Sequence, residues 1–138
     1  MIYTANFYTA QKYMYNEDCV FISINKKETE GFYNYHQLTP RSIDYYGHEN
    51  NILDWDDYKY RYISSLDKEF LNRFINKLRQ FDNNDRNIII FSRDYHYKFS
   101  YRRILAEYIY ENYGIKIIEL NGSGEDEDNI SIKLRFKF

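Results

Sequence analysis

The hydrophobic residues of this chain fall into short continuous runs and longer periodic stretches. Residues 19–24 and 87–91 are largely apolar runs of strand length, typical of strands that are buried on both faces of a sheet. Residues 1–7 and 115–120 are two further strand candidates. Apolar and polar side chains alternate in residues 130–138, and this pattern predicts a half-buried strand.

Apolar positions at three- and four-residue steps predict the helices. The widest such stripe runs through residues 66–81, with acidic side chains in the first turn and basic ones near the end, as the helix dipole prefers. A second helix is predicted after a capping Asp54. A third is predicted to begin after Ser100 and to end before Gly114, which suits a left-handed terminal residue. Residues 9–15 predict one or two helical turns.

Residues 25–53 show no clear periodicity and contain the single proline of the chain, Pro40. The segment is rich in aromatic residues, which argues against simple disorder. We therefore expect it to pack over the sheet, with a short helix near residues 42–46.

Strands that alternate with helices predict an α/β fold with a mainly parallel, Rossmann-like sheet flanked by helices. An acidic turn at residues 121–128 precedes the last predicted strand, which we expect to be a C-terminal antiparallel edge strand. Lysine and arginine side chains along that strand would discourage edge-to-edge association. The length of 138 residues predicts a single domain over residues 1–138.

Composition narrows the class of protein. Nineteen basic and 21 acidic residues give a net charge of −2, so any nucleic-acid binding must use a local patch. The single cysteine, Cys19, has no partner for an internal disulfide and is interpreted as a small buried hydrophobe. The chain has no apolar run of membrane-spanning length and no signal-peptide pattern at its start, so we expect a cytoplasmic protein with no membrane partner.

Tyrosine is the outlier, with 17 residues beside 10 phenylalanines and one tryptophan. Tyrosine is enriched at protein interfaces, which is one interpretation of its abundance here. The other is AT-rich coding, as in a phage or mobile element of a low-GC host.

A polar cluster follows the second long strand, at the carboxyl edge of the predicted sheet, where open α/β folds bind ligands. The candidate ligand-binding residues are Ser92, Arg93, Asp94, Ser100, Tyr101 and Arg102. Arg102 lies in a first helical turn, where the dipole disfavours a cation by about 0.3–1 kcal/mol, and it has no partner nearby in sequence. Arginine beside free helix N–H groups predicts an anion site. The alternative is that Asp94 pairs with Arg102 or Arg93 and ties the loop to the helix.

Catalytic and metal chemistry have weaker signals. Asp94 and His96 are the candidate catalytic bases, although a lone loop histidine is usually exposed or stacked. His36, His48 and Cys19 lack the spacing of zinc ligands, so no metal site is predicted. The chain has no glycine-rich phosphate loop and no nucleophile elbow, and we expect no cofactor.

Three segments resemble one protein family. Ile2-Tyr3-Thr4 resembles its opening strand. Leu38-Thr39-Pro40, followed by Trp55-Asp56-Asp57-Tyr58 and Tyr62, is similar to its proline segment and its Trp-x-x-Phe helix. The most specific match is residues 89–120. There Ser92 stands at the family's first Cys, Asp94 at its Glu, Ser100 at its second Cys, Tyr101 at its His and Arg102 at its Arg, and Leu105-Ala106-Glu107 and Gly114-Ile115 match directly. On these residues the chain is identified as a diverged member of the bacterial domain-of-unknown-function family 488.

The resemblance implies an α/β fold and a core over residues 1–120, with residues 121–138 as an addition. This chain lacks the two thiols and the histidine that the family carries, which are the groups best suited to nucleophilic or metal chemistry. It keeps the arginine. This pattern favours a domain that binds over one that catalyses.

These observations predict a small binding domain that recognises a phosphate-bearing ligand, a nucleotide or nucleic acid, at residues 92–103. One alternative is a phage or mobile-element accessory protein that binds and inhibits a host protein through a tyrosine-rich surface. The other alternative is an enzyme that acts on nucleotides or nucleic acid, with Asp94 or His96 as its base.

Overall fold

The computed structural model describes residues 1–120 of the chain. Five parallel strands form one sheet in the order β3-β2-β4-β1-β5. The strands are β1 (Ile2–Asn6), β2 (Cys19–Ser23), β3 (Tyr33–Asn34), β4 (Asn87–Ser92) and β5 (Ile117–Glu119). The helices are α1 (Phe7–Ala10), α2 (Ser42–Glu49), α3 (Trp55–Ser65), α4 (Lys68–Asn83) and α5 (Tyr101–Tyr113), with 3₁₀ turns at Gln11–Tyr13 and His36–Leu38.

The predicted fold class is confirmed, because the sheet is parallel and helices flank it. The antiparallel edge strand expected at residues 130–138 lies outside the described residues, and this part of the prediction is not borne out. Within residues 1–120 the edge strands are β3 and β5, and both are parallel to their neighbours. The prediction of one domain over residues 1–138 extends past the described residues and stays a prediction.

Alternating side chains along the strands build a hydrophobic core on each face of the sheet. One core joins Ile22, Ile88 and Ile90 to buried residues of α3, α4 and α5. The other joins Tyr3 and Phe91 to α1 and the 3₁₀ turn that follows it. Consecutive residues of β4 thus serve opposite cores, as the pleat of a strand requires.

Helix boundaries follow the capping residues that the sequence offers. The side chains of Asp54, Asp67 and Ser100 accept hydrogen bonds from first-turn N–H groups of α3, α4 and α5. Gly114 ends α5 in the left-handed conformation, with φ 69°. The described helices include none that is long and apolar enough to cross a membrane.

The segment at residues 25–53 is more ordered than predicted. It contains β3, a 3₁₀ turn and an α2 that extends to Glu49, beyond the short helix expected at residues 42–46. The two residues of β3 are too few to show a periodic pattern. The prediction that the segment packs against the core is confirmed at Leu38, which is buried and whose carbonyl accepts the Tyr62 hydroxyl.

We expect Gly114→Ala to lower the free energy of unfolding by about 1–2 kcal/mol, because a Cβ is disfavoured in the left-handed region. Gly114→Asn should cost less, since asparagine tolerates this conformation. Urea denaturation of the two variants measures the difference. Equal stability of Gly114→Ala and the parent protein would contradict the assigned cap.

Candidate functional site

The carboxyl edge of the sheet brings together segments that are distant in sequence. β2 and β4 pair in parallel, with Ser23 opposite Phe91. The residues that follow these strands, 24–26 and 93–100, therefore meet at one edge. Thr39 and α2 reach the same edge, because the Thr39 hydroxyl donates to the carbonyl of Ile24.

The six predicted ligand-binding residues separate into two layers. Ser92, Ser100, Tyr101 and Arg102 are buried. Asp94 is half-buried, whereas Arg93 is exposed. An open cavity lies above the buried residues. Arg93 borders this cavity, and so does the side chain of Tyr101, which forms part of its floor.

Arg102 is the deepest of these residues, with 0% of its surface exposed. Its Nε and one Nη donate to the Glu119 carboxylate at 3.0 and 2.8 Å. The remaining Nη donors reach the Ser92 hydroxyl at 3.1 Å and the backbone carbonyls of Asp94 and Tyr95. All five guanidinium N–H groups therefore have acceptors inside the protein.

The sequence offers Arg102 no ionic partner nearby and predicts that it helps to bind an external anion. In the structure its guanidinium forms an ion pair inside the protein. Its partner, Glu119, lies on the next strand along the chain, 17 residues away. Glu119 faces α5 because its neighbour Ile118 points into the opposite core. No local rule on helix charge pairs could have found this contact.

Asp94 and Ser100 serve the N-terminus of α5. The Asp94 carboxylate accepts the backbone N–H of Tyr101 at 3.2 Å, and the Ser100 hydroxyl accepts that of Arg103 at 3.3 Å. The alternative hypothesis placed Asp94 in an ion pair that ties the loop to the helix. Arg102 does tie the loop to the helix. Its guanidinium, however, donates to the backbone carbonyl of Asp94 and not to the Asp94 carboxylate.

Burial raises the pKa of the Asp94 carboxyl above its ordinary value of 3.8, and the nearby charge of Arg102 opposes that increase. His96, the other candidate base, is exposed in the loop, and its ring lies against that of Tyr95 with centroids 4.9 Å apart. In the part of the chain that the structure describes, no hydrogen bond orients its imidazole.

A small cavity lies directly above the buried layer. Its volume is about 80 Å³. It is lined by Lys26, Thr39, Pro40, Ser42, Tyr45, Tyr46, Arg93 and Tyr101. We call this the edge cavity.

The edge cavity carries positive charge. Its described lining includes two cations, Lys26 and Arg93, and no carboxylate. The Lys26 ammonium donates to the hydroxyl of Ser42, the first residue of α2, and Arg93 lies over the Tyr45 ring at 5.0 Å. Among residues 1–120, neither cation forms a salt bridge. The two charges are therefore available to an anion.

The phenols at the edge cavity do not oppose that charge. Burial raises the pKa of Tyr45 to about 12, with nearby carboxylates adding to the effect. Burial also raises the pKa of Tyr101, whose hydroxyl donates to the carbonyl of Ile24 at 3.1 Å. Both phenols are neutral at physiological pH, and the net charge of the lining is positive.

Sequence reasoning missed Lys26, Ser42 and Tyr45. Lys26 follows the carboxyl end of β2 as Arg93 follows that of β4, so a rule that examined the residues after every predicted strand would have selected both. The pattern of apolar residues does not predict the strand order that makes Lys26 and Arg93 neighbours.

Other chemistry has little support in the described residues. They contain no group of three or more histidine, cysteine, aspartate or glutamate side chains arranged to hold a metal. Cys19 is buried, and burial raises the pKa of its thiol to about 12, which makes it a poor nucleophile. The exposed tyrosines lie on α1, β3, α2, α3 and α5 and in loops, so the tyrosine-rich surface of the host-protein hypothesis is spread over both faces of the sheet.

In comparisons with protein-family models, curated proteins and solved structures, nothing matches this chain. The resemblance to family 488 therefore stays a prediction. Two of the segments that carry it, residues 38–40 and 92–102, meet at the edge cavity.

We expect Glu119→Ala and Arg102→Ala each to lower the free energy of unfolding by about 3–5 kcal/mol, since each leaves a buried charge unpaired. The double variant Arg102→Met/Glu119→Leu should recover much of that loss. The exposed i,i+4 pair Glu69 and Arg73 is the control, and alanine at either position should cost only about 0.3–0.5 kcal/mol. Denaturant titration of the parent protein and of these variants measures the losses. A double variant that loses as much stability as the two alanine variants together would contradict the buried pair.

The raised pKa of Asp94 predicts the pH dependence of Asp94→Asn. Ionisation of Asp94 removes stability as the pH rises from 3.8 through the higher pKa of the folded state, and asparagine cannot ionise. The stability of Asp94→Asn relative to the parent protein should therefore increase from acid to neutral pH. Denaturation curves across that window, with the exposed Asp56→Asn as control, measure the trend. A relative stability that decreases with pH would show that the folded state lowers this pKa.

Proposed function

We propose that this chain is a binding domain for a phosphate-bearing ligand, and that the phosphate occupies the edge cavity between Lys26 and Arg93. The observation that supports this proposal is the charge of the cavity. Two cations without carboxylate partners among the described residues face one small, carboxylate-free space. That space lies at the carboxyl edge of a parallel sheet, where α/β folds bind ligands.

The donors around the edge cavity suit a tetrahedral anion. Arginine offers a planar fork of N–H groups, and lysine a mobile point charge. Ser42 adds a hydroxyl and the N-terminal end of the eight-residue α2, whose first N–H groups have no partner within the helix. The volume of about 80 Å³ equals that of two to three water molecules in the liquid, at about 30 Å³ each, which suits a single phosphate group.

The arrangement favours binding over catalysis. The Asp94 carboxylate caps α5, and its burial raises its pKa. Cys19 belongs to the core on the opposite face of the sheet. The edge cavity itself offers cations and neutral hydroxyls, which stabilise a bound anion but supply no base at neutral pH.

We expect Arg93→Ala and Lys26→Ala each to weaken the binding of inorganic phosphate by about ten-fold or more, because a hydrogen bond to a charged group contributes roughly 1.5–3 kcal/mol. Both residues are exposed, so the fold should persist. Isothermal titration calorimetry with inorganic phosphate at low ionic strength measures the effect.

Arg79→Ala is the matched control, because Arg79 is an exposed arginine on α4, away from the edge cavity. Its affinity for phosphate should equal that of the parent protein. Equal losses in all three variants would indicate a general charge effect, and no loss in any of them would contradict the proposal.

A further inference from the structure

The edge cavity opens beside a larger groove, and the groove indicates what accompanies the phosphate. We propose that the ligand is a nucleoside monophosphate whose base carries an exocyclic amino group, with the base in this groove. The inference rests on the proposed function, since it takes the phosphate at Lys26 and Arg93 as its anchor.

The groove runs along α2 and has a volume of about 540 Å³. Its walls include Ile43, Tyr46, Ile52 and Leu53. Ile43 and Ile52 are 75% and 78% exposed, although large apolar side chains at a surface usually have a binding partner when they cluster. Apolar walls beside an aromatic ring suit the flat face of a nucleobase.

The groove and the edge cavity are adjacent. Ser42 and Tyr46 line both spaces and lie one helical turn apart on α2. Four residues of an α-helix span about 6 Å along the axis, which is the scale of one ribose between a phosphate and a base. The two spaces therefore match the two ends of one nucleotide.

A buried carboxylate oxygen gives the groove its specificity. Asp44 is 1% exposed and lines the groove. Its Oδ2 accepts from Arg41 at 2.9 Å, whereas its Oδ1 accepts no hydrogen bond from the described residues. Arg61, another residue of the groove, lies 3.6 Å from Oδ1. Arg61 thus pairs with Oδ1 by charge but does not reach it with a hydrogen bond, and a buried acceptor that lacks a hydrogen bond marks a place where a ligand can supply one.

An exocyclic amino group matches this oxygen. Adenine presents an amino donor beside a ring-nitrogen acceptor, so the amino group can donate to Asp44 while Arg61 donates to the ring nitrogen. Hypoxanthine carries an oxo group where adenine carries the amino group. In the orientation that suits adenine, that oxygen would face the Asp44 carboxylate and the ring N1–H of hypoxanthine would face the Arg61 guanidinium, so both contacts are mismatched and the site should discriminate against it.

The test compares inorganic phosphate, ribose 5-phosphate, AMP and IMP by isothermal titration calorimetry with the full chain. We expect AMP to bind about ten-fold or more tightly than ribose 5-phosphate, because stacking and the Asp44 contact add to the phosphate anchor. IMP should lose most of that gain. Ile52→Ser should reduce the affinity for AMP without changing that for ribose 5-phosphate.

Tyr15→Ala is the matched control, because this side chain is 94% exposed and lies away from α2. Its affinity for AMP should equal that of the parent protein. Equal affinities for AMP, IMP and ribose 5-phosphate would overturn the inference on the base and leave the phosphate site intact. No binding of any of the four ligands, or AMP binding that persists in Arg93→Ala, would overturn both proposals.

Discussion

The buried guanidinium of Arg102 is the constraint on which the carboxyl edge of this sheet depends. A charge that is removed from water is stable only when it is paired and its donors are satisfied. Glu119 supplies the opposite charge, and Ser92 and two loop carbonyls accept the remaining N–H groups. One side chain thereby fixes α5, β5, the end of β4 and the loop that follows it.

This constraint also fixes the loop after β4, which carries Arg93. The carbonyl of Tyr95 accepts hydrogen bonds from Arg102 on α5 and from Asn6 at the end of β1, so the loop is tied to a neighbouring helix and a neighbouring strand. Arg93 precedes this anchored stretch and remains exposed at the edge cavity. A site on a fixed loop loses less conformational entropy when it binds a ligand.

The sequence predicts the local features of the structure, but it does not predict contacts between segments that are distant along the chain. The strands at β2 and β4, the caps at Asp54 and Ser100 and the left-handed Gly114 follow from short-range patterns, and the structure confirms them. The two-residue β3 is too short for such a pattern. The partner of Arg102 and the proximity of Lys26 to Arg93 depend on strand order, so a charge that looked unpaired in sequence is in fact the best-paired one at this edge.

Arg102 is bonded within the fold, whereas Arg93 is exposed at the edge cavity, where we propose that it binds an anion. The two roles can be separated by following the arginine Nε–H resonances in ¹H–¹⁵N spectra as inorganic phosphate is added, with assignments from Arg93→Lys. The Arg102 resonance should exchange slowly with water and should not shift, because its proton is bonded to Glu119, while the Arg93 resonance should shift. A shift of the Arg102 resonance on addition of phosphate, with no change at Arg93, would show that the two roles are assigned the wrong way round.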